Sequence, residues 1–206
     1  MIILGISSGF HDAAVTVVKN GKIVFAAHAE RYSKQKNDPW LNQELINAAL
    51  EHGKPTTIVL HENNLAKKAR SFISGDFNSF REMSQEDWIK EFYPLAGIPI
   101  KSYWHHQTHA AAGVLTSNYQ ECAIMVIDAI GEFDCATIWG WKGKTLSKLH
   151  SITYPSSLGL FYSAVTHRVG LKPNEDEYIL MGMAAYGNPI VAEPLSRQMG
   201  RDFFKH

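Results

Sequence analysis

The stretch that decides the fold is Ile2–His28, IILGISSGFHDAAVTVVKNGKIVFAAH. Ile2 to Ser7 reads as a buried strand, short and continuously apolar, running into the small residues Ser7-Ser8-Gly9. Ala13 to Val18 is rich in β-branched residues and stops at Asn20-Gly21, the strongest short hairpin signal. Lys22 to His28 then predicts a third strand. The chain therefore opens as a β-meander with a polar cluster between its first two strands.

Outward from this meander, Pro39 to His52 predicts a helix with Leu41, Leu45, Ala48 and Ala49 at core spacing and Gly53 as terminator. Thr56 to His61 predicts a short buried strand. Leu65 to Glu82 is polar and mixed, with a loop at Gly75-Asp76. Ser84 to Phe92 predicts a helix whose early Glu86 and Asp87 complement its dipole. A short strand is expected over Ile100–Trp104 and an alanine-rich helix over His105–Leu115. Cys122 to Asp128 is a second buried strand, followed by a turn at Ala129-Ile130-Gly131 and a hairpin around Lys142-Gly143. Leu158 to Val169 predicts a helix, Ile179 to Ala185 a short apolar segment, and the tail from Glu193 an amphipathic helix.

A strand ending in small or acidic residues and followed by a hairpin thus occurs at Ile2 and again at Cys122. Two such halves suggest an α/β chain with the duplicated fold of actin-like ATPases, in which mixed sheets are flanked by helices. The expected division is 1–117 for a first lobe and 118–206 for the beginning of a second.

The composition bounds the function. The chain has 206 residues, 45% hydrophobic, with 20 basic and 20 acidic side chains and formal net charge +0. That is globular rather than disordered, and it lacks the basic excess of a general nucleic-acid binder. No apolar run approaches the ~20 residues of a membrane span, and the start lacks the basic lead of a secretory signal. With 2 cysteines and no CxxC, a disulfide scaffold is not expected, and a cytoplasmic location is. Histidine is enriched, at 10 residues.

Those histidines point to a site. In His105-His106-Gln107-Thr108-His109, residues i and i+4 share one helical face, so His105 and His109 can hold one metal ion. The alternative is a histidine-rich helix start whose rings bond backbone or solvent. Asp128 lies at the carboxyl end of a buried strand, the usual place for ligand-handling groups in α/β sheets. Two histidines and a carboxylate suit Fe(II), Mn(II) or Zn(II) with positions left open. Asp128 could equally start a turn or cap a helix, and its turn through Glu132 offers N–H groups to an anion.

Further clusters are less specific. His11, in Ser7–Asp12, has a ring whose ordinary pKa suits proton transfer, or it sits in a plain polar turn. Arg31, Lys34 and Lys36 could clamp a phosphate, or form a solvated loop. Met181–Gly187 allows close backbone approach. No GxGxxG or Walker A sequence occurs.

Taken in order, ILGISSGFHDAAVTVVKNGKIVFAAHAERYSKQKND, HHQTHAAAG, VIDAIGE, SLGLFYSAVTHRVG and EYILMGMAAYGNP resemble the N-terminal part of the O-carbamoyltransferases of the nodulation-factor and antibiotic-tailoring type. The resemblance implies an actin-like fold related to the enzyme that makes threonylcarbamoyl-adenosine in tRNA. It implies a metal, usually iron, held by His105, His109 and Asp128. It also implies that carbamoyl-adenylate, made from carbamoyl phosphate and ATP, gives its carbamoyl group to the hydroxyl of a small-molecule acceptor. His11 and Asp128 would be catalytic, and Lys36, Gly131 and Glu132 would line the acyl-adenylate pocket. The family turn reads Asp-Gly where this chain has Asp128-Ala129, so a positive φ there would strain alanine. Glu177-Tyr178-Ile179 replaces Glu-Tyr-Lys, removing a cation. Because the chain ends at His206, a further metal-binding Asp and the adenylate-forming domain are expected from a companion chain. The alternative is a non-catalytic, truncated module binding metal or nucleotide. Neither nucleic acid nor membrane is an expected partner.

Overall fold

The computed structural model describes residues 1–73, 75, 83–188, 190, 192–194 and 197. The chain forms two compact units, one of Met1–Asn118 with Gly131–Phe133, the other of Tyr119–Ile130 with Asp134–His206. Both are built of strands and helices, the α/β architecture expected.

In the first unit, β1 (Ile2–Ser7), β2 (Ala14–Lys19) and β3 (Lys22–His28) form the antiparallel meander. Asn20 and Gly21 both take positive φ, 52° and 79°, the mirror-image turn that matches strand twist. β4 (Thr57–Leu60) pairs parallel with β1, and β5 (Ile100–Ser102) parallel with β4, giving the order β3-β2-β1-β4-β5. The mixed sheet is therefore antiparallel on one side and parallel on the other. Leu4, Ile6, Val15, Val17, Ile58 and Leu60 project from it into the core, where they meet Leu45, Ile46 and Ile89. Each such side chain contributes roughly 1.5–3 kcal/mol by leaving water.

Among the described residues five helices accompany this sheet. The short α1 (Glu30–Ser33) ends at Lys34, whose φ of 60° turns the chain away. α2 (Gln43–Leu50) packs on β2 and β3 through Leu45, Ile46 and Ala49. It begins later than the predicted Pro39, because Asn42 is extended and its side chain accepts the Leu45 N–H, fixing the start. α3 (Asn64–Ile73) occupies a stretch read from sequence only as polar and mixed. It has no buried residue to mark a core face, and its start is capped by the Asn63 side chain, which accepts the Ala66 N–H at 3.1 Å. α4 (Gln85–Phe92) is capped by Ser84, and α5 (His105–Leu115) buries His106, Ala110 and Val114. The strand predicted over Ile100–Trp104 ends at Ser102, since Trp104 already serves as the residue before α5.

The second unit holds an antiparallel sheet β6-β7-β8 formed by Glu121–Ile127, Asp134–Lys142 and Thr145–Thr153. Its second hairpin turns at Gly143 (φ 54°) and Lys144 (φ 80°), one residue beyond the expected centre. α6 (Leu158–Arg168) follows. α7 (Glu177–Met183) and one 3₁₀ turn (Ala184–Tyr186) replace the short apolar segment predicted from Ile179. Ala129 is not among the residues with positive φ, so the backbone strain expected from Asp128-Ala129 does not arise. Neither cysteine forms a disulfide. Among the described residues no helix is long and apolar enough to cross a membrane. The expected loop at Gly75-Asp76 and tail helix from Glu193 fall largely outside the described residues.

Candidate metal centre

In the first unit, His105 opens α5 and His109 follows one turn later on the same face. Their Nε2 atoms lie 3.0 Å apart and their ring planes stand at 71°. Two nitrogens each about 2.1 Å from a shared ion, at a right angle, would be separated by about 3.0 Å. The spacing that makes a hydrogen bond therefore also fits a chelate. His106 turns inward and is 1% exposed, leaving the pair as the outward edge of the helix.

A buried carboxylate holds the start of α5. Glu132, only 3% exposed, accepts the His105 N–H at 3.1 Å with either oxygen and the Asn63 N–H at 2.6 Å. Trp104 supplies no side-chain cap, so Glu132 satisfies a donor that the helix leaves open and meets the positive end of its dipole. Gly131 is needed beside it: an added Cβ would lie 3.0 Å from both His105 Cβ and His106 Cδ2. Arg70 donates to the Gly131 carbonyl. Of the residues expected to line an acyl-adenylate pocket, Gly131 and Glu132 thus form the seat of the histidine helix.

His11 and Lys36 come from two segments that run side by side. The Gly9 N–H donates to the Pro39 carbonyl and the Ala13 N–H to the Asp38 carbonyl, both at 2.8 Å. His11 is exposed on this turn, with Nδ1 3.0 Å from Asp12 Oδ2 and its ring 4.8 Å from that of Phe10. Lys36 is exposed on the neighbouring loop. Ser8 accepts Gln85 Nε2 at its carbonyl (2.6 Å) and hydroxyl (2.8 Å), which closes the base of the turn. Beside it opens a cleft of about 610 Å³ lined by Gly9, Phe10, Trp40, Glu62, Lys67 and Trp88. The rings of Trp40 and Trp88 stack at 5.3 Å.

In the second unit, Asp128 follows β6, its N–H donating to the Cys135 carbonyl at 2.9 Å and its Oδ1 accepting the Ala129 N–H at 2.7 Å. The start of α6 presses on this turn. Ser157 Oγ donates to the Ala129 carbonyl at 2.5 Å and accepts the Leu160 N–H at 3.0 Å. A Cβ on Gly159 would fall 2.5 Å from Ala129 N and Cα.

Sequence reasoning passed over His61 and Glu62. They follow β4 directly, and their ligand atoms and that of His105 all lie within 4.8 Å of one another. The available signal was position: His61 leaves the carboxyl end of a parallel strand. Burial is the main cause holding the His61 pKa below its usual value. Glu62 opposes this, His105 and Lys67 add to it, and the Ile6 backbone opposes it.

The sequence profile described as Carbamoyltransferase N-terminus matches residues 2–70 and 89–199. The chain belongs to this family. An uncharacterized protein of Synechocystis sp. is 33% identical over 215 residues, covering 91% of this chain and 35% of that protein. Nodulation protein NolNO of Sinorhizobium fredii is 24% identical over 204 residues, 91% of this chain and 29% of that protein. The chain thus spans about a third of the length of these relatives. Among solved structures, the Lmo2764 protein of Listeria monocytogenes aligns over 98% of this chain and 75% of its own, with 11% identity and a TM-score of 0.44.

Proposed function

We propose that this member of the carbamoyltransferase family contributes part of a site that transfers a carbamoyl group from carbamoyl-adenylate to a small-molecule hydroxyl. His105, His109 and Asp128 hold a divalent ion, with iron favoured by the family and manganese or zinc compatible with the donors. The observation that carries this reading is the 3.0 Å separation of His105 Nε2 and His109 Nε2. When bound, the ion polarises the carbamoyl carbonyl and stabilises the oxyanion that forms on attack.

The chain's own residues do the rest. Lys36 offers a cation to the adenylate phosphate. Asp12 holds His11 Nδ1 at 3.0 Å, which leaves Nε2 to take the proton of the acceptor hydroxyl. The hydroxyl oxygen bonds to the carbamoyl carbon, the bond from that carbon to the phosphate oxygen breaks, and AMP leaves with the electron pair. Glu132 and Gly131 hold His105 in place. Carbamoyl-adenylate is supplied from carbamoyl phosphate and ATP by a part of the relatives' length that this chain does not span, on the same or a companion polypeptide.

The test is transfer of label from radioactive carbamoyl phosphate, with ATP, to a small-molecule extract of the source organism. The tagged chain is used together with the polypeptides that co-purify with it. His105→Ala is expected to remove bound metal and lower transfer more than about a hundredfold. His109→Ala and Asp128→Ala are expected to lower transfer similarly. Undiminished transfer by His105→Ala, or full transfer by the isolated chain, would overturn the proposal.

A further inference from the structure

We propose that His61, Glu62 and His105 form a second divalent-cation position, one that competes with the His105–His109 pair for the single ring of His105. The three donors arise at one edge of the first unit's sheet. His61 and Glu62 follow parallel strand β4, and His105 follows its parallel neighbour β5. The Tyr103 N–H donates to the Leu60 carbonyl at 3.2 Å, so the segments are joined by backbone. Glu132 joins them again by binding the N–H groups of both Asn63 and His105.

Within this frame one ligand atom from each residue lies within 4.8 Å of the others. The His61 and His105 rings meet edge-on, centroids 5.5 Å apart. His61 Nδ1 is buried and has no hydrogen-bond partner among the described residues. A buried nitrogen left this way is costly unless something fills its lone pair. Glu62 engages Lys67 through Oε1 at 2.8 Å, and no hydrogen bond to its Oε2 is present among the described residues. Two imidazoles and a carboxylate are the donors preferred by Zn(II), Co(II) and Fe(II).

The competition follows from the chemistry of imidazole. A neutral ring has one nitrogen lone pair in its plane and so ligates one ion at a time. His61, Glu62 and His105 stand as a site by themselves; only the competition rests on the proposed role of His109.

Cobalt(II) alone is the probe, titrated into the full chain and followed by visible absorption and by calorimetry. Wild type is expected to bind one ion per chain. His109→Ala, which disables the other set, is expected to keep a site. Adding His61→Ala or Glu62→Gln to that background is expected to weaken cobalt binding at least about tenfold, with circular dichroism confirming the fold of each variant. Equal affinity of His109→Ala and His109→Ala/Glu62→Gln would overturn the site, as would loss of all binding in His109→Ala. His61→Ala alone reads the His105, His109 and Asp128 set. Absence of binding there, with binding retained in His109→Ala, rejects that set and supports this one.

Discussion

Glu132 grips the His105 backbone N–H with both carboxylate oxygens, at 3.1 Å each, from a site that is 3% exposed. A buried carboxylate is tolerated only where its oxygens are satisfied, and here the helix N-terminus and the Asn63 N–H do so. The residue therefore fixes the angle at which His105 leaves the sheet.

Glu132→Gln keeps the shape and removes the charge, turning an NH2 toward backbone donors. It is expected to cost about 2–3 kcal/mol. The urea midpoint should fall with the slope unchanged, and cobalt affinity should fall with it. A midpoint equal to wild type would show that the cap is dispensable.

Two glycines face different degrees of crowding. At Gly159 a methyl group would stand 2.5 Å from Ala129 N and Cα, and backbone there cannot step aside. At Gly131 the obstacles are His105 Cβ and His106 Cδ2 at 3.0 Å, which would have to give by only a few tenths of an ångström. Gly131→Ala should cost about 1–3 kcal/mol and Gly159→Ala more. Thermal melting of the two variants ranks them, and the reverse order would contradict the packing described.

Why some of this was readable in the sequence and some not follows from range. The meander and its Asn20-Gly21 turn are local, because alternation and a positive-φ dipeptide suffice to specify them. His105 and His109 are likewise one helical turn apart. Glu62 meets His105 only after β4 and β5 have paired in parallel, a long-range event that no window of sequence contains. The role of Glu132 as a cap was not legible, because it depends on contacts with Asn63 and His105 far along the chain. α3 did carry a helical period, with Leu65, Ala69, Phe72 and Ile73 on one face, but the basic residues between them made the stretch read as polar and mixed.

Ser157 joins the second unit's turn to its helix. It is 3% exposed, caps α6 through the Leu160 N–H and donates to the Ala129 carbonyl. Ser157→Ala removes both contacts and should cost about 1–2 kcal/mol, the upper part of the range for an N-cap. Ser157→Thr retains the hydroxyl and should recover part of that loss in chemical denaturation. No difference between the two variants would rule out the hydroxyl as the cause.

The pH dependence of the second unit should carry the mark of Glu177. Partial burial pushes its carboxyl pKa up, but hydrogen bonds from the Asn174 N–H, Ser163 Oγ and its own N–H outweigh this and hold it below the ordinary 4.5. Between the folded and unfolded values the unfolded chain binds more protons, so stability rises with pH across that window. The contribution is complete above about 4.5 and is lost as pH falls through the folded value. Glu177→Gln lacks the titrating group. Its melting temperature should lie below wild type near neutrality and converge on it in acid, as the wild-type carboxyl protonates and the two side chains become alike in charge. A gap between the two proteins that stays constant from neutral to acid would show that the charge of Glu177 does not support the start of α7.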